Sequence, residues 1–210
     1  MSKEQYHHGD LASDLIQKGL IILVKEGYDK FSLRQVAKAC GVSQTAPYRH
    51  FKNKDELILA IATEATQKFN GVLQGAVDKY PGDSESQLKE MGCAYIEFFV
   101  NNPEYLHLIF LSDITKKLLG GHAERAENNA CIADFKRTGD PFGVFLKTVE
   151  RYHDEYQSRT DDPMSLEELV LYCWGLVHGI SILLSRNDFP FNEDSLSLSR
   201  KMIWNKAFPI

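Results

Sequence analysis

The chain has 210 residues, 43% of them hydrophobic, enough for one sizeable helical core or for a small headpiece on a larger body, which sets disorder aside. No uncharged apolar run reaches the roughly eighteen residues of a membrane helix, and residues 1–30 lack the basic, apolar and small-residue pattern of a signal peptide, so a cytoplasmic protein with no membrane partner is expected. The formal net charge of −5 hides an asymmetry: residues 1–54 hold nine Lys/Arg against five acids, a balance of +4, and the remainder carries −9. A basic amino-terminal module on an acidic body is the distribution expected when only one part approaches phosphate. Cys40, Cys93, Cys131 and Cys173 are widely spaced, without a CxxC pair or histidines at ligand spacing. They read as small buried hydrophobes, and neither a metal nor a cofactor is expected.

Nearly every long segment repeats its apolar residues at helical spacing and none alternates as a strand would, so the fold class is all-α. Leu11, Leu15, Ile16, Leu20, Leu23 and Val24 share one stripe, with Asp10 placed to cap it and Gly27 to end it. Ser32 caps a short second helix bearing Leu33, Val36, Ala37 and Cys40, and Gly41 ends it; Ser43 starts a third that runs to about Phe51. Asn53 and Glu56 form a capping box ahead of a long stripe through Leu57, Ile58, Ile61, Ala65, Phe69, Leu73 and Ala76. Residues 80–83, YPGD, break that helix, and Ser84 with Gln87 offers a box for the next, which carries Tyr95, Ile96, Phe98, Phe99 and Val100 and stops at Pro103. Residues 112–140 are polar and Gly/Asn-interrupted, with no clear element.

Pro141 suits the first turn of a helix with Phe142, Phe145, Leu146, Val149 and Tyr152 inward, and Ser165 with Glu168 boxes the next. The uncharged run 169–184, interrupted by Gly175, His178 and Gly179, is too short for a span and is expected between protein surfaces. A last helix covers about 194–206. The predicted organisation is a three-helix headpiece at 1–54, a connecting helix at 54–80, and a helical body over 55–210.

Residues 32–51, SLRQVAKACGVSQTAPYRHF, combine two short helices with a tight turn. Ala37 is small where the helices pass close, Gly41 accepts positive φ, Val42 plugs the angle and Ser43 caps the second helix. A helix-turn-helix of this kind lays its second helix in a major groove while the first spans the backbone. Gln44 can pair with adenine, Thr45 can meet a thymine methyl or a phosphate, and Tyr48 presents a hydroxyl on a rigid ring. Ser32 and Lys54, each at a helix start, can face phosphate, and Arg34, Arg49 and Lys52 are expected backbone contacts. His50 is expected to be packed or solvated.

That string, continued by YRHFKNKDEL at 48–57, resembles the amino-terminal domain of the TetR family of bacterial repressors over roughly residues 10–69. YHHGDL at 6–11 and WGLVHG at 174–179 resemble one subgroup of it, the latter being like the Trp-His-Gly motif of that subgroup's carboxy-terminal domain. The resemblance implies that Ser43, Gln44 and Thr45 face base edges, with Tyr48 touching phosphate as well as packing. One departure stands out: the family more usually has Thr and then Leu or Ile before the tyrosine, where this chain has Ala46 and Pro47. Pro47 removes an amide in the first turn of the recognition helix, at modest cost because the earliest amides have no intrahelical partner, though the fourth helical position would normally have one; the lost hydroxyl at Ala46 weakens any carry-over of operator sequence.

A headpiece this small binds few phosphates, so two copies on major grooves about 34 to 36 Å apart, a homodimer on a near-palindromic operator, are expected. Gly175 and Gly179 open a flat strip for a partner helix with Trp174 and His178 beside it. The resemblance also implies a ligand pocket in the body for a small apolar or aromatic effector. Its candidates are Phe69, Tyr95, Phe99, Phe110, Phe145, Tyr152 and Tyr172, with His107 and His178 as polar groups. An enzyme is the rival class, resting on Glu150 and His153, an E-x-x-H pair without the second pair and further carboxylates that helical metal sites need. Both are therefore expected on a solvated face. A DNA-organising adaptor that answers to a protein partner is the other alternative.

Overall fold

The structure, a computed structural model, describes residues 11–111, 141–156, 164–186 and 194–206. The expected Asp10 cap, the 6–10 lead-in, Cys131 and the stretch 112–140 lie outside the described residues. Regular structure among the described residues is all helical, and it divides into two units, one holding 11–65 with 107–111 and the other 66–106 with the described residues from 141 onward.

In the first unit, α1 (Leu11–Lys30) buries Leu15, Leu20 and Leu23. Gly27 takes a positive φ, 76°, but its ψ of 170° is extended rather than the left-handed stop expected of it, and the helix resumes beyond it to Lys30. The Phe31 amide then donates to the Gly27 carbonyl at 3.1 Å, which carries the chain over the kink. In α2 (Leu33–Ala39), Ser32 is the cap, its Oγ accepting from the Gln35 amide at 3.3 Å. Gly41 takes φ 71°, and the Val42 amide donates to the Ala37 carbonyl at 3.0 Å, closing the turn after α2.

A long helix, α3 (Lys54–Asp78), follows. Asn53 caps it by accepting from the Glu56 amide at 2.9 Å, but the Glu56 carboxylate accepts from the Lys52 amide, one residue outside the expected box. A Cβ on Gly19 of α1 would lie 3.0 Å from Ile61 Cδ1 and 3.6 Å from Leu57 Cδ2, so the bare glycine lets α1 cross α3 closely. Lys18 Nζ donates to the Ala39 carbonyl at 3.0 Å, tying α1 to the free carbonyls at the end of α2.

The second unit takes up the rest of α3 and adds α4 (Ser84–Asn101), α5 (Pro103–Leu106), α6 (Pro141–Tyr156), α7 (Leu166–Leu184) and α8 (Ser195–Lys206). Pro103, expected as a stop, ends α4 at Asn101 and itself opens α5, where a proline costs no intrahelical bond. A π-helical turn at His107–Leu111 follows, within the first unit. α4 is the hub, packed against α6, α7 and α8. Its cap is Asp83, whose carboxylate accepts from the Ser86 amide at 3.0 Å, rather than the expected Ser84. Ser84 instead donates from Oγ to Glu155 at 2.7 Å, and Gln87 Nε2 donates to the carbonyls of Val77 and Tyr80 at 3.2 and 2.8 Å, satisfying the end of α3. Arg151 of α6 donates to Gln87 Oε1 at 2.7 Å. The Ser165–Glu168 capping box is formed in full.

The E-x-x-H pair departs from expectation. His153 is buried, with Nε2 at 3.1 Å from the Met164 carbonyl, because α6 turns that side against the segment leading into α7.

Candidate nucleic-acid interface

The segment after Gly41 departs most from its sequence reading. No α-helix begins at Ser43; a 3-10 helix covers Ala46–Arg49, with Thr45 at the cap position and no side-chain cap. The Ser43 hydroxyl pairs with the Thr45 hydroxyl at 3.2 Å instead of capping an amide. Pro47 is buried, while Ser43, Gln44, Thr45, Tyr48, Arg49 and His50 are exposed. Tyr48 is 52% exposed, so its ring is available to a partner rather than serving the core. Phe51 is buried and closes the segment, its amide donating to the Pro47 carbonyl at 2.9 Å.

The other candidates for this face are placed unevenly. Arg34 and Lys52 are exposed and Ser32 is half-buried at its cap. Lys54 is engaged within the headpiece: Nζ donates to the Tyr28 carbonyl at 3.0 Å and lies 4.0 Å from the centre of the Tyr28 ring. The Tyr28 hydroxyl in turn donates to Asp55 at 2.7 Å, and that hydrogen bond raises the tyrosine pKa. Sequence spacing did not foresee this Tyr28–Lys54–Asp55 clasp, since the partners are far apart along the chain and only folding joins them.

In the body, Phe69, Tyr95 and Phe99 pack directly on one another, with ring centroids 4.7 to 5.2 Å apart, and Phe98 joins them. The Tyr95 hydroxyl lies 2.8 Å from Nδ1 of His178. Burial raises the Tyr95 pKa and lowers that of His178, so both groups are neutral at pH 7. Trp174 stands one helical turn before His178, with their rings 6.4 Å apart, and packs on Phe142 at 4.8 Å. Phe142 touches Phe145 at 5.9 Å. Tyr152 is buried in a cluster with Leu88, Val149, Leu169 and Cys173, against which Phe145 also packs. Tyr172 is exposed, and His107 and Phe110 fall in the first unit.

α7 leaves much of its apolar surface uncovered. Leu171 is 74% exposed, Leu183 is 47% exposed, and among the described residues a Cβ at Gly175 or Gly179 would meet nothing within 4 Å. By length and composition α7 could also cross a membrane, and only 22% of its apolar window is buried within this chain. No group of three or more His, Cys, Asp or Glu placed to hold a metal occurs among the described residues.

Residues 15–61 match the model of the tetR family of bacterial regulatory proteins. That segment is similar to the tetR family's regulatory domain. The HTH-type transcriptional regulator AcrR of Shigella flexneri is 29% identical over 126 residues, 59% of this chain. The chain spans 58% of that relative's length. A tetR-family regulatory protein of Rhodococcus RHA1 superposes with a TM-score of 0.62 at 20% identity, covering 92% of this chain and 93% of its own. The transcriptional regulator FadR of Bacillus subtilis, solved in complex with stearoyl-CoA, gives 0.62 at 14% identity, covering 91% and 95%. Likeness at such identities is one of fold, and it extends the tetR-like architecture over both units.

Proposed function

We propose that the chain is a sequence-specific DNA-binding transcriptional regulator, a ligand-responsive repressor acting as a cytoplasmic homodimer on a near-palindromic operator. The observation that carries this reading is the exposed row Ser43, Gln44, Thr45, Tyr48 and Arg49, raised over buried Pro47 inside the tetR-family segment. Hydroxyls, a carboxamide and a guanidinium in such a row can divide phosphate from base contacts. Arg34 and Lys52 supply charge beside it, and Ser32 offers its helix start to phosphate. The headpiece at 1–54 reads DNA, and the body over 55–210, reached through the connecting helix, dimerises and senses.

The dimer partner is a second copy seated on α7, with Trp174, Gly175, His178 and Gly179 at the seam. The uncovered leucines and the open strip over the two glycines support this, because an apolar helix face left unburied within one chain calls for a covering surface. The charged first turn, Glu167 and Glu168, and the glycines suit such a seam better than lipid. The Trp174–His178 pair, with His178 bonded to Tyr95, supports placing the chain in the Trp-His-Gly subgroup. A small apolar or aromatic effector is the sensed ligand; the fold-level likeness to a regulator solved with stearoyl-CoA makes acyl-CoA thioesters the first to test. A gel shift on the DNA flanking the chain's own coding region, with and without acyl-CoA, tests both steps. The expected outcome is a retarded band that the effector releases; no band at low salt would refute the DNA reading.

A further inference from the structure

An α-helix begun at Ser43 would close its first turn with the amide of residue 47 on the Ser43 carbonyl. Pro47 has no amide to give. The Ser43 carbonyl is taken instead by the Ala46 amide at 3.0 Å and the Thr45 carbonyl by the Tyr48 amide at 3.3 Å, both spanning three residues rather than four. The Pro47 carbonyl then accepts from the His50 and Phe51 amides, each at 2.9 Å. With its ring buried, Pro47 also anchors the turn on the headpiece side, while Thr45, Tyr48 and Arg49 stand exposed on the other.

Three residues per turn set side chains three apart in register, whereas an α-helix staggers them. Over the three steps from Thr45 to Tyr48, the tighter winding rotates the tyrosine by about 60° and advances it by about 1.5 Å relative to an α-helix. That displacement exceeds the whole spread of good N–H···O distances, roughly 2.7 to 3.2 Å, so a chain held through Tyr48 on phosphate cannot bring Thr45 to the same base edge in both windings.

We propose that Pro47 is a positioning residue for operator reading: its 3-10 turn sets where Thr45 stands relative to Tyr48 on phosphate, with Arg49 beside them, and so fixes which base edge Thr45 reaches and which base pairs the chain selects. This rests on the DNA-binding reading above. It is tested with the full chain by selecting bound duplexes from a randomised library, for wild type, Pro47→Leu and Pro47→Ala, alongside thermal melting. Leucine keeps apolar bulk and restores the amide; alanine restores the amide alone.

The expected result is a Pro47→Leu chain melting within about 5 °C of wild type. Its selected consensus differs from that of wild type in each half-site, and it binds the wild-type consensus about ten-fold or more weakly. Pro47→Ala shifts the consensus in the same way. A folded variant that selects the wild-type consensus with undiminished affinity overturns the proposal. Loss of folding in both variants overturns it too, since Pro47 would then serve the headpiece core. A wild-type chain that enriches no sequence removes the DNA reading itself, an outcome visible before any variant is made.

Discussion

The Tyr95 hydroxyl and Nδ1 of His178 stand 2.8 Å apart and join α4 to α7. A neutral imidazole can accept there from the phenol, whereas a protonated one would turn a second donor towards it. Burial holds the His178 pKa below 6.5, the value it regains on unfolding. The unfolded chain therefore binds the extra proton first as pH falls, and stability declines from about pH 6.5 downward through the folded value. Melting midpoints between about pH 7.5 and 5 should fall less steeply in His178→Gln than in wild type. Identical profiles would show that this contact carries no pH dependence. Tyr95→Phe, which leaves Nδ1 without the phenol, should cost about 0.5 to 1.5 kcal/mol at pH 7.5.

Glu90 on α4 is buried between Lys79, at 2.6 Å, and Arg200 of α8, at 2.5 Å. Burial pushes its carboxyl pKa up, but the two cations outweigh that and hold it below 4.5. Its contribution is thus complete above about pH 4.5 and is lost as pH falls through the lower folded value. Glu90→Gln should destabilise by about 1 to 3 kcal/mol, short of the cost of a fully buried pair, because both cations are partly exposed and can return to water. Chemical denaturation at pH 7 measures it. A midpoint unchanged from wild type would mean that the cations, not the acid, organise this corner.

Local signals account for what was legible in the sequence. Ser32, Asn53 and Ser165 cap where a polar side chain precedes an apolar stripe, and Gly41 turns where positive φ is needed. Each depends on residues a few positions apart. The failures share a different cause. At Ser43, one missing amide four residues on converts an α-helix into a 3-10 turn. At Ser84, an acid one residue earlier takes the cap and frees the serine to reach Glu155 on α6. The burial of His153 and the clasp of Lys54 by Tyr28 are set by tertiary packing, which periodicity does not encode.

If α7 meets its copy in a second chain, Gly175 and Gly179 serve association rather than folding. Among the described residues nothing lies within 4 Å of a Cβ at either site, so Gly175→Ala with Gly179→Ala should leave the chain folded and favour the helix by about 0.5 to 1 kcal/mol per site. The same pair should weaken the dimer, and Leu171→Asp should abolish it. Sedimentation velocity distinguishes the two effects. A dimer undisturbed by Leu171→Asp would place the interface elsewhere.

The exposed row divides into two roles that substitutions separate. Tyr48→Ala should weaken binding to every duplex alike, as loss of a phosphate contact does, whereas Gln44→Ala should chiefly relax base preference, by about 1 to 3 kcal/mol at one position. Competition titrations with matched and mismatched operators read this directly. Equal losses on all sequences for both variants would contradict the assignment.

The burial of Cys93 and Cys173 pushes their thiols up to about 11 and about 12. Both should resist a thiol reagent in the folded chain at pH 8 and react at once in denaturant, because the thiolate is the reactive form. Rapid labelling of either in the native state would reveal an opening of α4 or α7.

The most direct measurement is a fluorescence anisotropy titration of the full chain against a labelled duplex from the DNA flanking its coding region, repeated at rising salt. The expected result is saturable binding by two chains per duplex, far tighter than to a random duplex, with the logarithm of affinity falling linearly with that of salt. No binding at low salt, or equal affinity for flanking and random DNA when no selected operator is bound more tightly, would contradict a sequence-specific regulator.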